Sequence, residues 1–204
     1  MKNETIGIVD YGSGNCASVR MSLVKLGYRT RLVSKADDFK HINFLILPGV
    51  GAFSTAMASL HALDLVTLIR KWAFEGKPII GICLGMQLLS EASYEHSLTR
   101  GLELIPGKVT QLDQPKWHIG WNSLESYGEK ASFMKDAYGD SFYFNHSFEF
   151  KAPDQYVVSI TRLQRPIVAI VRRDNIYGIQ FHPEKSQLSG LNILKSVLKE
   201  LNHA

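Results

Sequence analysis

The 204-residue chain is 45% hydrophobic and 21% charged, an ordinary globular composition that excludes disorder and low complexity. Its 23 Lys and Arg against 19 Asp and Glu leave a net charge of +4, with no basic stripe interleaved with aromatics, so no nucleic-acid partner is expected. Two cysteines cannot build a multi-disulfide framework, and no apolar run is long enough for a membrane span or a signal peptide; one soluble, cytoplasmic domain over residues 1–204 is expected.

Residues 5–10 form a short β-branched run that ends at Tyr11-Gly12, a buried strand followed by a turn. Asn15 is placed to cap a helix carrying Val19, Leu23 and Leu26 on one face, with Gly27 to stop it. Residues 28–33 and 42–47 read as the next strands, and 54–74 as one helix ended by Gly76-Lys77-Pro78. Residues 78–83 form another buried strand, and 84–91 read as helical. This alternation implies a doubly wound, mostly parallel α/β sheet. Beyond Gly101 the texture shifts to short segments rich in Gly, Pro, Trp and Tyr, an antiparallel extension running to strands at 167–171 and 176–181. A closing amphipathic helix carries Leu188, Leu191, Leu194, Val197, Leu198 and Leu201.

The sharpest motif is Ile80-Gly81-Ile82-Cys83-Leu84-Gly85. A nucleophile with glycines two positions to either side, between a strand and a helix, is the G-x-S-x-G elbow with cysteine in the serine position. The turn forces the nucleophile into a strained backbone, and only residues without side chains let strand and helix pass so close. In isolation, a buried core cysteine would explain Cys83 equally well. A base is available in Gln180-Phe181-His182-Pro183-Glu184, just past a strand end, where Glu184 can orient the imidazole of His182. A third element, Pro48-Gly49-Val50-Gly51, follows another strand; its backbone N–H groups, with that of Leu84, can face a developing oxyanion.

A competing motif is Gly12-Ser13-Gly14-Asn15-Cys16-Ala17, which fits the G-x-G-x-x-A dinucleotide fingerprint, with Asp37 and Asp38 about 20 residues on as ribose acids. Those aspartates fall past the tip of the second strand. A dinucleotide-binding oxidoreductase would also leave Cys83, His182 and Glu184 without a role, which makes it the weaker reading.

Together the motifs resemble the class I glutamine amidotransferases, with their Cys-His-Glu triad on a flavodoxin-like α/β sheet. The resemblance runs end to end and is closest to the glutaminase subunits of imidazole glycerol phosphate synthases. It is carried by the two glycine runs after the first strands, Gly81 to Leu89, His118-Ile119-Gly120-Trp121-Asn122, Tyr143-Phe144-Asn145-His146-Ser147 and Gln180 to Ser186. The chain departs from the family's usual residues at Trp117 (proline), at Asn145 (valine) and at Leu163-Gln164-Arg165-Pro166 (a tyrosine-glycine pair).

The resemblance implies that Cys83 attacks the carboxamide of L-glutamine, His182 relays protons and Glu184 holds its ring. It further implies that Gly49, Gly51 and Leu84 serve the oxyanion, that Gln87, His146, Ser147 and Phe148 bind substrate, and that Trp121, Asn122, Tyr143 and Lys185 face a partner. No cofactor and no metal are expected. A glutaminase fills about 200 residues, leaving no room for the synthase that consumes ammonia. The implied partner is a (β/α)8-barrel cyclase, in a heterodimer that makes imidazole glycerol phosphate and AICAR for histidine biosynthesis. Paralogues feed other synthases, such as cell-surface sugar amidotransferases.

Overall fold

The computed structural model describes residues 4–12, 14–128, 137 and 139–202. In chain order, β1 (Thr5–Val9), α1 (Cys16–Lys25), β2 (Arg29–Val33), β3 (Phe44–Leu47), α2 (Phe53–Ala62), α3 (Leu65–Phe74), β4 (Ile79–Ile82) and α4 (Leu84–Leu88) form the first half. Then follow β5 (Ala92–Ser93), β6 (Thr99–Arg100), β7 (Lys108–Gln111), β8 (His118–Ser123), β9 (Glu125–Ser126), β10 (Ser141–His146) and β11 (Phe148–Lys151). The chain closes with β12 (Val157–Arg162), β13 (Pro166–Arg173), β14 (Ile176–Ile179) and α5 (Gln187–Asn202).

The main sheet has the order β2-β1-β3-β4-β14-β13-β12-β9. From β2 to β14 the neighbours are parallel, and from β14 to β9 they are antiparallel. The central strands β3, β4 and β14 are buried along their whole length, as their continuous apolar runs require of strands covered on both faces. Helices α1 and α5 cover one face through Val19, Leu23, Leu194, Val197 and Leu198. Helices α2 and α3 cover the other through Phe53, Met57, Leu60, Ile69 and Trp72. This is the expected α/β architecture with its antiparallel extension. A ribbon of β8 and β10 and a four-stranded sheet β11-β7-β5-β6 stand beside it. Among the described residues no helix is long and apolar enough to cross a membrane.

Three local expectations differ. The single helix over 54–74 is two, broken where Asp64 enters the left-handed region at φ 54°. Aspartate tolerates that conformation, and with no glycine or proline there the apolar period runs straight through the break. Helix α4 stops at Leu88, because the returning chain takes its last carbonyls: Leu102 N–H donates to Leu88 and Gly101 packs against Ser90 O. On α5, Leu188 is 69% exposed while Ile193 joins the buried face in its place.

Candidate active site

Cys83 stands between β4 and α4 with its backbone at φ 54°, ψ −110°, a conformation that costs on the order of 1–3 kcal/mol. The surroundings impose it. Cys83 N–H donates to Ile179 O at 2.7 Å, and Met86 and Gln87 N–H donate to Cys83 O at 3.0 and 3.3 Å. The flanking glycines are a steric demand: a Cβ on Gly81 would lie 2.5 Å from Gly85 O, and one on Gly85 1.7 Å from Leu47 O.

Strand β14 pairs in parallel with β4, Gly178 opposite Gly81 and Ile179 opposite Ile82, so both chains leave the sheet at the same end. There His182, 1% exposed, comes within interaction range of Cys83. On its other side Nδ1 lies 2.8 Å from Glu184 Oε1. Burial alone would push the imidazole pKa down, but the hydrogen bonds and negative charge of Cys83 and Glu184 outweigh it and lift the value to about 9. The ring therefore carries its proton at neutral pH. Against burial, His182 and Asn15 hold the Glu184 carboxyl below its ordinary value. The backbone of His182 is clamped as well, its N–H on Tyr143 O at 2.8 Å and its carbonyl under Ser186 Oγ at 2.7 Å.

Beside the pair opens a cavity of about 270 Å³, walled by Val50, Gly51, Leu84, Gln87, Glu95, Asn145, His146, Ser147 and Phe148. Gln87 Nε2 donates to Phe148 O at 3.0 Å and to Gln180 Oε1 at 3.2 Å, and Gln180 Nε2 points at Cys83 Sγ from 3.9 Å. Of the two predicted loop glycines, Gly51 (φ +100°) reaches the wall, whereas Gly49 lies behind it, where a Cβ would strike Tyr11 Oη at 2.5 Å. His146 is on the wall with both ring nitrogens occupied, Nδ1 by Phe148 O at 2.8 Å and Nε2 by His118 at 3.1 Å.

Trp121 and Tyr143 face each other across β8 and β10 with ring centroids 5.9 Å apart, and Lys185 Nζ lies 5.7 Å from the Tyr143 ring. Tyr143 in turn is 6.4 Å from the His182 ring, so this aromatic face adjoins the triad. Trp117, Ile119 and Trp121 alternate along β8 and its approach and are all at least half exposed, an apolar stripe. Asn122 is half-buried, its amide donating to His118 and to Arg162 O.

Among the described residues of the competing motif, Asn15 turns toward Glu184. Asn15 makes no side-chain capping bond to α1; its Nδ2 donates to Glu184 Oε1 at 3.1 Å. Asp38 accepts the N–H groups of Ser34 and Lys35, and Asp37 pairs with Lys40. Ser13 lies outside the described residues.

The model of the family "Glutamine amidotransferase class-I" matches residues 7–200. The chain belongs to this family. It is 39% identical over 203 residues to imidazole glycerol phosphate synthase subunit HisH of Listeria monocytogenes serotype 4a (strain HCC23), covering 98% of this chain and 97% of that protein. It is 40% identical over 202 residues to the subunit of the same name from Desulfitobacterium hafniense (strain DSM 10664 / DCB-2), covering 97% and 95%. Solved structures share the fold: PurLQS from Thermotoga maritima superposes with a TM-score of 0.75 at 23% identity, over 98% of this chain and 100% of that one.

In this glutamine amidotransferase, sequence reasoning missed three site residues. Asn15 and Gln180 stood inside quoted motifs, but a helix-cap preference and a strand end hid their contacts. Glu95, whose Oε2 accepts Phe53 N–H at 2.6 Å on the cavity wall, carried no local signal.

Proposed function

We propose that the chain is the glutaminase subunit of an imidazole glycerol phosphate synthase, working in the cytoplasm as a heterodimer with a (β/α)8-barrel cyclase. The observation that carries this reading is likeness to two such subunits along nearly the whole of both chains.

Glutamine enters the cavity with its carboxamide against Cys83. Glu95 supplies the one carboxylate on the described wall and faces the α-ammonium, while Asn145 and Ser147 offer donors to the α-carboxylate. Cys83 Sγ attacks the carboxamide carbon, and the oxyanion meets the N–H groups of Gly51 and Leu84. The protonated His182 gives its proton to the departing nitrogen, so ammonia leaves and a γ-glutamyl thioester remains. The neutral ring then takes a proton from water, whose oxygen attacks the thioester; the C–S bond breaks, releasing glutamate and returning Cys83 and the protonated His182 to their starting state. Glu184 and Asn15 hold the ring throughout. Ammonia departs past Tyr143 and Trp121 to a partner docked on the β8 face.

The test is glutamate release by the purified chain, alone and with the cyclase and its nucleotide substrate. Strong stimulation is expected. Absence of stimulation, with Cys83 still labelled by a glutamine-derived diazo-ketone, would favour the second reading, a paralogue serving another synthase such as a sugar amidotransferase. That reading draws on the exposed Trp117 and the cavity-lining Asn145, both unusual for the family.

A further inference from the structure

We propose that Asn122, His118 and His146 form a one-way hydrogen-bond relay joining the docking face on β8 to the wall of the glutamine pocket, and that they act as positioning residues for the substrate. The location of that face and pocket rests on the function proposed above.

The direction of the relay follows from the chemistry at its two ends. Phe148 O can only accept, and His146 Nδ1 stands 2.8 Å from it, so Nδ1 carries the hydrogen. Burial pushes the pKa of both His146 and His118 down to about 4, so each ring is neutral and has one bare nitrogen. The bare Nε2 of His146 is 3.1 Å from His118 Nδ1, which must therefore be N–H. His118 Nε2 is then bare, and Asn122 Nδ2 donates to it at 3.3 Å. The amide itself is oriented by two backbone groups, Oδ1 accepting Ser123 N–H at 2.9 Å and Nδ2 donating to Arg162 O at 2.9 Å.

At the pocket end the same Phe148 carbonyl receives Gln87 Nε2, and Gln87 is tied through Gln180 to the nucleophile. His146 thus fixes glutamine's surroundings through Phe148 and Gln87, with no ring nitrogen left to touch the substrate.

The relay has only two arrangements. If the Asn122 amide turns over, its oxygen faces His118 Nε2 and draws the hydrogen there. Each ring then moves its proton to Nε2, and the lone pair of His146 Nδ1 confronts the lone pairs of Phe148 O. That carbonyl must be released, and Gln87 with it. Asn122 adjoins the exposed Trp121, and the Arg162 carbonyl that orients it lies at the solvent-facing end of β12. A body docking on β8 therefore acts on the bonds that decide which arrangement holds.

The experiment is nitrogen NMR of the full chain labelled in histidine. His118 and His146 are both expected as neutral Nδ1–H tautomers, the form less common in free histidine, unchanged from pH 8 down to about 5.5. In Asn122→Asp the carboxylate accepts only, so His118 should switch to Nε2–H. The diazo-ketone concentration that half-saturates labelling of Cys83 should then rise about tenfold while the maximal labelling rate stays nearly constant, the split expected of lost positioning. His118→Phe, which keeps the stack on Phe144, should raise that concentration similarly. Either ring found as Nε2–H or protonated in the unmodified chain, or unchanged half-saturation in both variants, would overturn the relay. Expected tautomers and shifts in a chain that no cyclase stimulates would keep the relay and remove the proposed partner. Stimulation by the cyclase with Nε2–H rings would do the reverse.

Discussion

The amide of Asn15 donates to Glu184 Oε1 at 3.1 Å across 169 positions of chain, so the loop after β1 steadies the carboxylate that steadies His182. Asn15→Ala should lower kcat/KM for glutamine about tenfold, the scale of one hydrogen bond to a buried charge. The alkaline limit of the pH–rate profile should also move to lower pH, because a less firmly held Glu184 supports the imidazolium less. An unchanged profile would show that Asn15 only fills space.

Cys83→Ala should abolish glutamate release, and His182→Ala should cost several orders of magnitude, as for other triad bases. The strained backbone at Cys83 adds a stability prediction. Cys83→Gly should be as inactive as Cys83→Ala yet about 1 kcal/mol more stable in urea denaturation, since glycine adopts positive φ freely.

Gly85→Ala should be severe. Its Cβ would meet the carbonyl of Leu47, a backbone atom that cannot swing aside, so the loss should exceed about 3 kcal/mol or prevent folding. Gly14→Ala is the control, with nothing nearer than Val50 Cγ2 at 3.9 Å and a change of stability within about 0.5 kcal/mol expected. Thermal melts of the two proteins compare them directly.

Stability should peak near pH 6.5. His182 is raised from 6.5 to about 9, so its contribution is complete below 6.5 and is lost as pH rises through 9. His118 and His146 are lowered from 6.5 to about 4, so theirs is complete above 6.5 and is lost as pH falls toward 4. In denaturant titrations, His182→Gln should flatten the alkaline limb and His146→Gln the acid limb.

Trp121→Ala and Lys185→Ala should each weaken stimulation by the cyclase, because exposed Trp121 and Lys185 pack on Tyr143, edge-to-face and through the ammonium, beside His182. Full binding and full coupling in both variants would move the docking face elsewhere.

Much of the site was legible because the chemistry leaves short-range marks. Glycines two positions either side of Cys83 record a steric collision, and His182 with Glu184 two residues later records a ring and its support. The α/β alternation carried the fold for the same reason, since period and turn residues are local. What stayed hidden was long-range or ambiguous. Asn15 suits a helix cap so well that its bond to Glu184 left no trace, and Asp64 breaks a helix without glycine or proline. Nothing local says that Gly51 rather than Gly49 reaches the cavity, or that the Asn122 amide finds His118 and Arg162 O.

Strands β4 and β14 are neighbours in the sheet, yet Gln180 and Cys83, which they bring together, are 97 positions apart. All the strands from β5 to β13 belong to the chain between them. A growing polypeptide emerging from the ribosome therefore carries its thiol long before its imidazole exists, and closing so large a loop is slow. Glutamine hydrolysis needs both strands in register, so labelling of Cys83 during refolding would time the completion of the sheet.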